Sequence, residues 1–411
     1  MDADSFFASC EVSRNPKYKG KPVVVGGSDR GIAVAVSQEA KKRGIFRGMT
    51  MRDMKAVCKN VIALPVDLRL YGLYSSSIFS VVDNFVNVLE KYSIDECFGE
   101  MTVKNFNEAE IIAYKIKEEI KKKLDITVSI GISTTKVLAK IGSKRNKPDG
   151  VCVLPFNSPL FVAMSKDTSV GKVWGIGGKT TVMLGKMGIS TVADLISLDR
   201  KWIISNFDKP LRMIWQELSG ISVMNVSSED ILQKSIQKTR TFKPATSDRA
   251  TLISKLSINM ERAFARARRL GVCPKAIHFM LKTSEFRYER KTVIFEENIS
   301  NQSIAEKEIA KAVDELKKDG ILYRSTGVTL SMLSPFDIQH DLFSKHEENS
   351  RYFSMWQAID DLSHKYGHSV VAYGTSLKKE TQNLSSGISA MIAIRSNDIK
   401  RLGIPFAGEV V

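Results

Sequence analysis

The chain has 411 residues, and its 61 lysines and arginines against 45 aspartates and glutamates give a formal net charge of +16. A chain longer than roughly 250 to 300 residues is expected to form several domains, and the positive charge favours a polyanionic partner such as nucleic acid. The five cysteines are scattered and form no Cys-x-x-Cys pair, which argues against a disulfide framework or a zinc site. The sequence has no run of about 18 apolar residues and no signal peptide. We therefore expect no membrane association and a cytoplasmic location.

The chain opens with two acids, Asp2 and Asp4, followed by a small and aromatic run to Ser9. Asp2 would lie near the end of a central strand, yet only Met1 precedes it. Either this strand is short or residues are missing before it. Residues 23–25 and 32–36 then predict a hairpin, and residues 38–43 predict a short helix that a glycine ends.

Asp95 and Glu96 form a second acidic pair inside an apolar, strand-like run, residues 92–99. Two adjacent acids in a strand place charge on both faces, which is costly unless a cation compensates it. If this run neighbours the opening strand, Asp2 meets both acids in a cage of hard oxygen ligands that suits Mg²⁺. Two such ions would serve in-line phosphoryl or nucleotidyl transfer. The alternative is that the two acids simply end a strand at a turn.

Residues 109–124 keep a helical period, and residues 127–133 predict a strand. In the helix that follows, Lys136, Lys140 and Lys144 recur every fourth residue and therefore share one face. Lys147 stands in the turn that ends this helix, where it could reach a phosphate. The alternation of strands and helices around the acids predicts one α/β catalytic domain.

Gly175, Gly177 and Lys179 lie in a glycine hairpin between two short predicted helices. Such a hairpin exposes backbone N–H groups at a helix N-terminus, where a phosphate binds without base contacts. The pattern indicates helix-hairpin-helix DNA binding, with an ordinary glycine turn as the alternative.

From residue 234 onward the pattern is βαββαβ, with strands at 235–242, 276–282, 291–295 and 327–333 and helices at 249–270 and 304–317. The basic face of the first helix is either a solvated surface or a DNA contact. Beyond Pro335 the most specific sequence feature is a short motif that contains Gln339, Leu342 and Phe343. It is either a peptide that enters a partner's pocket or an anchor of the tail to its own domain.

Together these motifs resemble the Y-family translesion DNA polymerases, most closely their bacterial DinB-like branch. The matching stretches are Asp-x-Asp-x-Phe-Phe-Ala-Ser at 2–9, Ser-Ile-Asp-Glu at 93–96, Gly-Ile-Ser-x-x-Lys-x-Leu-Ala-Lys at 131–140, Asn-Lys-Pro-x-Gly at 146–150, Trp-Gly-Ile-Gly-x-Lys-Thr at 174–180 and Lys-Ser-Ile at 234–236. The resemblance implies an α/β and α+β multidomain fold shaped like a right hand. Its parts would be a palm (1–10 and 67–154), small fingers (11–66), a helix-hairpin-helix thumb (155–222), a linker (223–233), a βαββαβ little finger (234–334) and a tail with a clamp-binding motif (335–411).

The resemblance also implies roles at matching positions. Asp2, Asp95 and Glu96 would be the catalytic carboxylates, and with the carbonyl of Ala3 they would hold two Mg²⁺ ions, for which Mn²⁺ can substitute. Phe7, beside Phe6, would be the steric gate against a 2′-hydroxyl group.

Further roles concern the incoming nucleotide. Lys147 would contact its triphosphate, and Ile32 and Val34 would cover the nascent base pair. Most relatives hold the triphosphate with Tyr-x-x-Arg, whereas this chain has Gln38 and Lys41. Lysine keeps the charge but lacks the bidentate fork of arginine, so nucleotide affinity is the step that this departure puts in question.

The function implied is error-prone, template-directed DNA synthesis by a monomer that uses primer-template DNA, deoxyribonucleoside triphosphates and a bacterial sliding clamp. One alternative is a catalytically inactive adaptor between DNA and the clamp, which loss of the carboxylates would mark. Another is a nucleotidyl cyclase, which can share the acidic pair but leaves the glycine hairpin and the basic C-terminal part unexplained.

Overall fold

The computed structural model describes residues 1–26, 31–229, 233–336, 346–366 and residue 371. These residues form two compact units: an N-terminal unit that ends at Glu229 and a C-terminal unit that contains the described residues from 233 onward. Within the described ranges, no helix combines the length and apolar character needed to cross a membrane.

The N-terminal unit is a mixed α/β assembly. In chain order its described elements are β1 (Asp2–Ala3), α1 (Phe6–Arg14), β2 (Val23–Gly26), β3 (Ala33–Val36), α2 (Gln38–Lys42), α3 (Met51–Val57), β4 (Ile62–Leu64), α4 (Leu68–Asp83), β5 (Val88–Lys91), β6 (Cys97–Glu100), α5 (Phe106–Leu124), β7 (Val128–Ile132), α6 (Lys136–Arg145), β8 (Val151–Val153), α7 (Pro159–Asp167), α8 (Gly178–Lys186), α9 (Val192–Ile196), α10 (Arg200–Asn206) and α11 (Lys209–Leu218).

Strand β1 lies between two other parts of the unit. It pairs antiparallel with β7, which pairs parallel with β8. On its other side Asp2 forms a single bridge to Glu96, which directly precedes β6. Helices α4 and α5 contribute to the apolar core of this layer. The buried residues of α5 recur at helical spacing, as the sequence predicts: Ala109, Ala113, Ile116, Ile120 and Leu124.

A small three-stranded sheet has its own core. Its strand order is β3–β2–β4, and the predicted hairpin is confirmed by the antiparallel pairing of β2 with β3. Ser37 caps helix α2, because its hydroxyl group accepts a hydrogen bond from the backbone N–H of Ala40 at 3.2 Å. The first helical position after this cap is Gln38, so the cap also places Gln38 and Lys41.

Helices α7 to α11 pack around a third core, to which α6 also contributes Val137, Leu138 and Ile141. Several of these helices have an N-cap residue whose side chain accepts a hydrogen bond from a backbone N–H group, as Asp199 and Asp208 do. Thr191 and Asp194 form a capping box at the start of α9. Helix α6 thus packs both against the sheet that carries Asp2 and against helices α7 to α11.

The C-terminal unit confirms the predicted βαββαβ order, with longer strands. Its elements are β9 (Ser235–Thr246), α12 (Arg249–Arg269), β10 (Val272–Thr283), β11 (Tyr288–Ile294), α13 (Gln302–Leu316), β12 (Tyr323–Pro335) and a further helix, α14 (His346–Tyr366). The sheet is antiparallel in the order β11–β10–β12–β9. Helix α14 was not predicted from the sequence. Arg268 holds it through hydrogen bonds of 2.6 and 3.0 Å to Asp360. The whole is the multidomain α/β and α+β fold that the sequence predicts.

Candidate active site

The structure brings Asp2 and Glu96 together across 94 positions of sequence. Asp2 lies on β1 opposite Ser129 of β7, and the same residue bridges to Glu96. The backbone N–H of Ala3 donates to the carbonyl oxygen of Asp95 at 2.9 Å, which fixes β1 against the second acidic pair. The predicted meeting of the two acidic stretches is therefore found at the level of the backbone.

The second acidic pair lies at a turn, not inside a strand. Strand β5 ends at Lys91 and β6 begins at Cys97, so Asp95 precedes the strand and its carboxylate accepts a hydrogen bond from the hydroxyl of Ser93 at 2.7 Å. The predicted position inside a strand is therefore wrong for Asp95, because the chain turns between β5 and β6 and Asp95 contacts Ser93 within that turn. In the part of the chain that the structure describes, no three histidine, cysteine or acidic side chains form a group that could hold a metal ion.

A buried lysine joins the other two carboxylates. The Nζ atom of Lys140 lies 2.9 Å from Oδ2 of Asp2 and 2.6 Å from Oε1 of Glu96, and the lysine side chain is only 9% exposed. Lys147 also contacts Asp2. Two ammonium groups therefore neutralise the acids, which would otherwise repel each other in a poorly solvated site. The periodicity of the lysines placed Lys140 on a helix face but did not indicate that this face is buried.

These contacts shift the pKa values of Asp2 and Glu96 in opposite directions. Burial alone would raise the pKa of Asp2, but hydrogen bonds from Glu96 and Lys147 and the charge of Lys140 outweigh burial and lower it to about 2. Burial, together with the hydrogen bond to Asp2, raises the pKa of Glu96 despite Lys140. Asp2 thus carries the negative charge more firmly than Glu96 does.

Asp4 positions the turn that holds Lys147. Its side chain is almost fully buried, accepts from the hydroxyl of Ser129 at 2.9 Å and accepts from the backbone N–H of Asp149 at 2.8 Å. The second acid of the opening motif therefore orients the 146–150 turn. This role of Asp4 was not predicted, and the Asp-x-Asp spacing at residues 2–4 is the sequence feature that could have indicated it.

Gln38 and Lys41 converge on Ser5, which precedes helix α1. Nε2 of Gln38 donates to the Ser5 hydroxyl at 3.3 Å, and Nζ of Lys41 donates to it at 2.9 Å. Burial, followed by the charge of Lys147, lowers the pKa of Lys41, so the two lysines are near enough to interact. Two cations, an amide and a helix N-terminus thus meet beside the acids, which is an arrangement suited to an anion.

Phe6 and Phe7 differ in their burial and in what their rings contact. Phe6 is 3% exposed and packs in the core, so a ligand would meet only its backbone. The half-buried Phe7 stacks on Tyr71, with ring centroids 4.3 Å apart and an angle of 17° between the rings. The hydroxyl group of Tyr71 in turn donates to Glu11 at 2.8 Å, which holds the stack in place. Of the two predicted finger residues, Ile32 is 52% exposed and Val34 is half-buried on β3.

The glycine hairpin has the predicted geometry around Gly175, Gly177 and Lys179. Gly175 adopts a φ of +89°, in the left-handed region that favours glycine, and a Cβ atom there would lie 2.8 Å from Ile214. Gly177 precedes α8 without a side-chain cap, so the first N–H groups of that helix have no side-chain acceptor, and Lys179 is exposed beside them. The hairpin is tied to the acidic turn, because Nε1 of Trp174 donates to the hydroxyl of Tyr92 at 2.9 Å.

The remaining predicted site residues, Gln339, Leu342 and Phe343, lie outside the residues that the structure describes. They stay a prediction from sequence.

Comparisons with known proteins agree with this architecture. A model of the impB/mucB/samB family matches residues 1–144, and a model of the C-terminal domain of the same family matches residues 233–342. DNA polymerase IV of Clostridium perfringens (strain 13 / Type A) is 30% identical over 321 residues, 77% of this chain and 87% of that protein. DNA polymerase IV of Dehalococcoides mccartyi is 29% identical over 383 residues, 92% of this chain and 97% of that protein.

Solved structures are similar as well. A Y-family DNA polymerase chimera of Dbh and Dpo4 matches with a TM-score of 0.69 at 25% identity, over 80% of this chain and 97% of that chain. The insertion ternary complex of Dbh DNA polymerase matches with a TM-score of 0.53 at 26% identity, over the same shares of the two chains. The chain therefore belongs to the impB/mucB/samB family and is a DinB-like member of the Y-family DNA polymerases.

Proposed function

We propose that this protein is a low-fidelity, template-directed DNA polymerase that adds deoxyribonucleotides to a primer 3′ end during translesion synthesis. The observation that carries the proposal is the meeting of Asp2 and Glu96 beside a cluster of anion-binding groups, Gln38, Lys41 and Lys147. Carboxylates next to cationic groups are what a site needs if it binds a metal-bound triphosphate.

The acids fit a pair of Mg²⁺ ions, because their donors are hard carboxylate oxygens and because a cation, the ammonium of Lys140, already bridges Asp2 and Glu96. We assign Asp2, Asp95 and Glu96, with the carbonyl of Ala3, as the groups that would hold the ions. Asp95 would have to release Ser93 to take part. When bound, such ions activate the primer hydroxyl group and stabilise charge on the reacting phosphate.

The other side chains would bind and orient the nucleotide. Lys147 and Lys41 supply positive charge for the triphosphate, and Gln38 donates from its amide. Phe7, held flat against Tyr71, presents a ring that would lie under the deoxyribose and clash with a 2′-hydroxyl. Ile32 and Val34 would cover the nascent base pair, and the absence of a bulky aromatic ring at these two positions would leave room for a damaged template base, which is the proposed origin of low fidelity.

The glycine hairpin would bind the DNA backbone. Free N–H groups before α8 and the exposed Lys179 suit a phosphate and carry no base specificity. The link from Trp174 to Tyr92 would hold this phosphate contact at a fixed distance from the acids. We assign residues 155–222 as the thumb, 1–10 and 67–154 as the palm, 11–66 as the fingers and 234–334 as the little finger, joined by the linker 223–233.

We further propose that the protein acts as a cytoplasmic monomer and that Gln339, Leu342 and Phe343, in the tail 335–411, bind the sliding clamp. The inactive adaptor is the second candidate, because the carboxylate of Asp95 contacts Ser93 and forms no metal-holding group with Asp2 and Glu96 in the described residues. Mg²⁺-dependent extension of a primer on a template strand tests the proposal. Extension that requires both Mg²⁺ and Glu96 supports a polymerase, whereas DNA and clamp binding without extension supports the adaptor.

A further inference from the structure

The turn that carries Lys147 is compact. Residues 146–150 connect α6 to β8, and the side-chain amide of Asn146 donates to the carbonyl oxygen of Val151 at 2.8 Å, which closes the turn. Gly150 leaves no space for a side chain, because a Cβ atom there would lie 2.0 Å from the carbonyl oxygen of Asn146. The placement of this turn against the rest of the unit therefore sets where Lys147 lies.

Asp149 is held from outside the turn at both of its backbone polar groups. Its φ of +60° lies in the left-handed region, which aspartate tolerates better than most residues but at a cost in free energy. Its N–H group donates to Oδ2 of the buried Asp4 at 2.8 Å. Its carbonyl oxygen accepts a hydrogen bond from the ammonium group of Lys117, on helix α5. Two distant side chains therefore restrain one strained residue of the turn.

Lys117 departs from the solvated surface of its helix. Its side chain is 12% exposed, whereas Lys121 and Lys123 of the same helix are about half exposed. It directly follows the buried Ile116, at the flank of the face that α5 packs into the core. A lysine is rarely so well covered unless an acceptor compensates for the lost water. The acceptors here are the carbonyl oxygen of Asp149 and its carboxylate, whose Oδ1 atom lies 3.4 Å from the ammonium group.

The hydrogen bond to the carbonyl oxygen is the contact that restrains the turn. The carboxylate of Asp149 is 55% exposed, so water screens its ion pair with Lys117. The carbonyl group belongs to the backbone, and a charged donor makes a stronger hydrogen bond to it than a neutral donor would. The ammonium group also lies 5.5 Å from the centre of the Tyr114 ring, a cation–π contact that limits where the lysine can point. Lys117 therefore holds the backbone of the turn with a side chain that is itself restrained.

We propose that Lys117 is a positioning residue for nucleotide binding: it fixes the backbone at Asp149 so that Lys147, in the same turn, presents its ammonium group to the triphosphate. This role rests on the proposed binding of the triphosphate by Lys147. Lys147 contacts Asp2, whereas no contact of Lys117 with Asp2 or Glu96 is found in the described structure. Without Lys117, the turn loses one of the two restraints on Asp149, and Lys147 takes up positions from which it binds a phosphate poorly.

Variants of the full chain test the proposal by primer extension over a range of nucleotide concentrations. Lys117→Met removes the charge and keeps most of the length of the side chain, whereas Lys117→Arg keeps the charge. Lys115→Met is the matched control, because this lysine is exposed on the same helix. Lys147→Met removes the residue through which Lys117 is proposed to act.

Lys117→Met is expected to raise the apparent KM for the nucleotide roughly tenfold and to keep kcat within about threefold of the unchanged protein. The reason is that the phosphate contact is weakened equally in the bound nucleotide and in the transition state, which changes KM alone. Lys117→Arg should restore a KM within about threefold of the unchanged protein, and Lys115→Met should not change it. A KM unchanged in Lys117→Met would overturn the proposal.

The double variant Lys117→Met with Lys147→Met separates positioning from a contribution to folding. Because Lys117 acts through Lys147, the KM of the double variant should equal that of Lys147→Met within about twofold. Two increases in KM that multiply would overturn the proposal. So would a fall in kcat and in melting temperature that Lys117→Arg does not rescue, because it would show a structural role alone. Lys117→Gln takes the place of Lys117→Met if that protein does not fold.

The single change Lys147→Met distinguishes failure of the positioning role from failure of the proposed function. If Lys147→Met raises the KM and Lys117→Met behaves like Lys115→Met, the positioning role of Lys117 is wrong and the role of Lys147 stands. If Lys147→Met leaves the KM unchanged, Lys147 does not bind the triphosphate, and both roles are wrong.

Discussion

The ammonium group of Lys140 lies 2.9 Å from Asp2 and 2.6 Å from Glu96, so one buried cation holds two carboxylates that come from distant parts of the chain. These contacts raise the pKa of Lys140, although burial opposes the shift. The lysine therefore stays charged and keeps the acids together. Metal ions would meet two carboxylates whose positions are already set, which reduces the reorganisation needed on binding.

Phe7 is predicted to exclude ribonucleotides. Replacing Phe7 with alanine removes the ring that stacks on Tyr71 and opens space for a 2′-hydroxyl group. We expect the preference for deoxyribonucleotides to fall sharply in single-nucleotide incorporation kinetics. Phe46→Ala is a matched control, since this ring is 61% exposed and belongs to no aromatic pair found in the described residues. An unchanged sugar preference in Phe7→Ala would mean that another residue is the gate.

Gln38 and Lys41 are predicted to limit nucleotide affinity. The double change Gln38→Tyr and Lys41→Arg supplies a phenol and a bidentate guanidinium at the place where both side chains now contact Ser5. A charge-assisted hydrogen bond contributes roughly 1.5 to 3 kcal/mol, so we expect the apparent KM for the nucleotide to fall about tenfold or more. Steady-state kinetics measure it, and a KM that stays the same or rises would contradict the assignment.

Lys179 is predicted to contact a DNA phosphate at the N-terminus of α8. Lys179→Ala should weaken primer-template binding equally for all sequences and reduce the slope of log K against log salt by about 1. Lys186→Ala is the matched control, because this lysine is exposed at the opposite end of the same helix. Fluorescence anisotropy over a range of salt concentrations distinguishes the two. Equal losses in both variants would show that only overall charge matters.

Leu342 and Phe343 are predicted to tether the protein to the sliding clamp. Tethering raises the effective concentration at the primer end without changing the active site. Leu342→Ala with Phe343→Ala should therefore remove clamp-stimulated synthesis and leave clamp-free extension unchanged. If clamp stimulation survives, the tether lies elsewhere. If both activities and the melting temperature fall together, the pair is part of the fold.

Periodicity in the sequence was enough to predict much of the fold. The βαββαβ unit, the β2–β3 hairpin and helix α5 each follow from local patterns of apolar residues, and the structure confirms them. Helices α1 and α4 were not predicted. In α4 serines alternate with buried tyrosines, so the apolar residues do not form a clear helical pattern. Helix α1 begins at Phe6, directly after Ser5, and no local pattern indicated the left-handed backbone of Ser5.

The candidate site was predicted less completely, because its geometry depends on contacts distant in sequence. The spacing of acids indicated that Asp2 would meet Glu96, but it could not show that Asp95 turns toward Ser93. Nor could it show that Lys140 is buried, since the carboxylates that make burial tolerable lie on other strands. The sequence shows which residues are charged, but the partner that neutralises each charge is set by the tertiary structure.

The carboxylates of Asp2, Asp95 and Glu96 are predicted to carry out metal-dependent nucleotidyl transfer, and Glu96→Gln tests this assignment most directly. The change keeps the size of the side chain and removes its charge, and Asp83→Asn, at an exposed helix end, is the control. Primer extension in saturating Mg²⁺ should fall at least about 100-fold in Glu96→Gln, with primer-template binding within a few-fold of the unchanged protein, whereas Asp83→Asn should retain activity. Extension by Glu96→Gln within tenfold of the unchanged protein would contradict the claim.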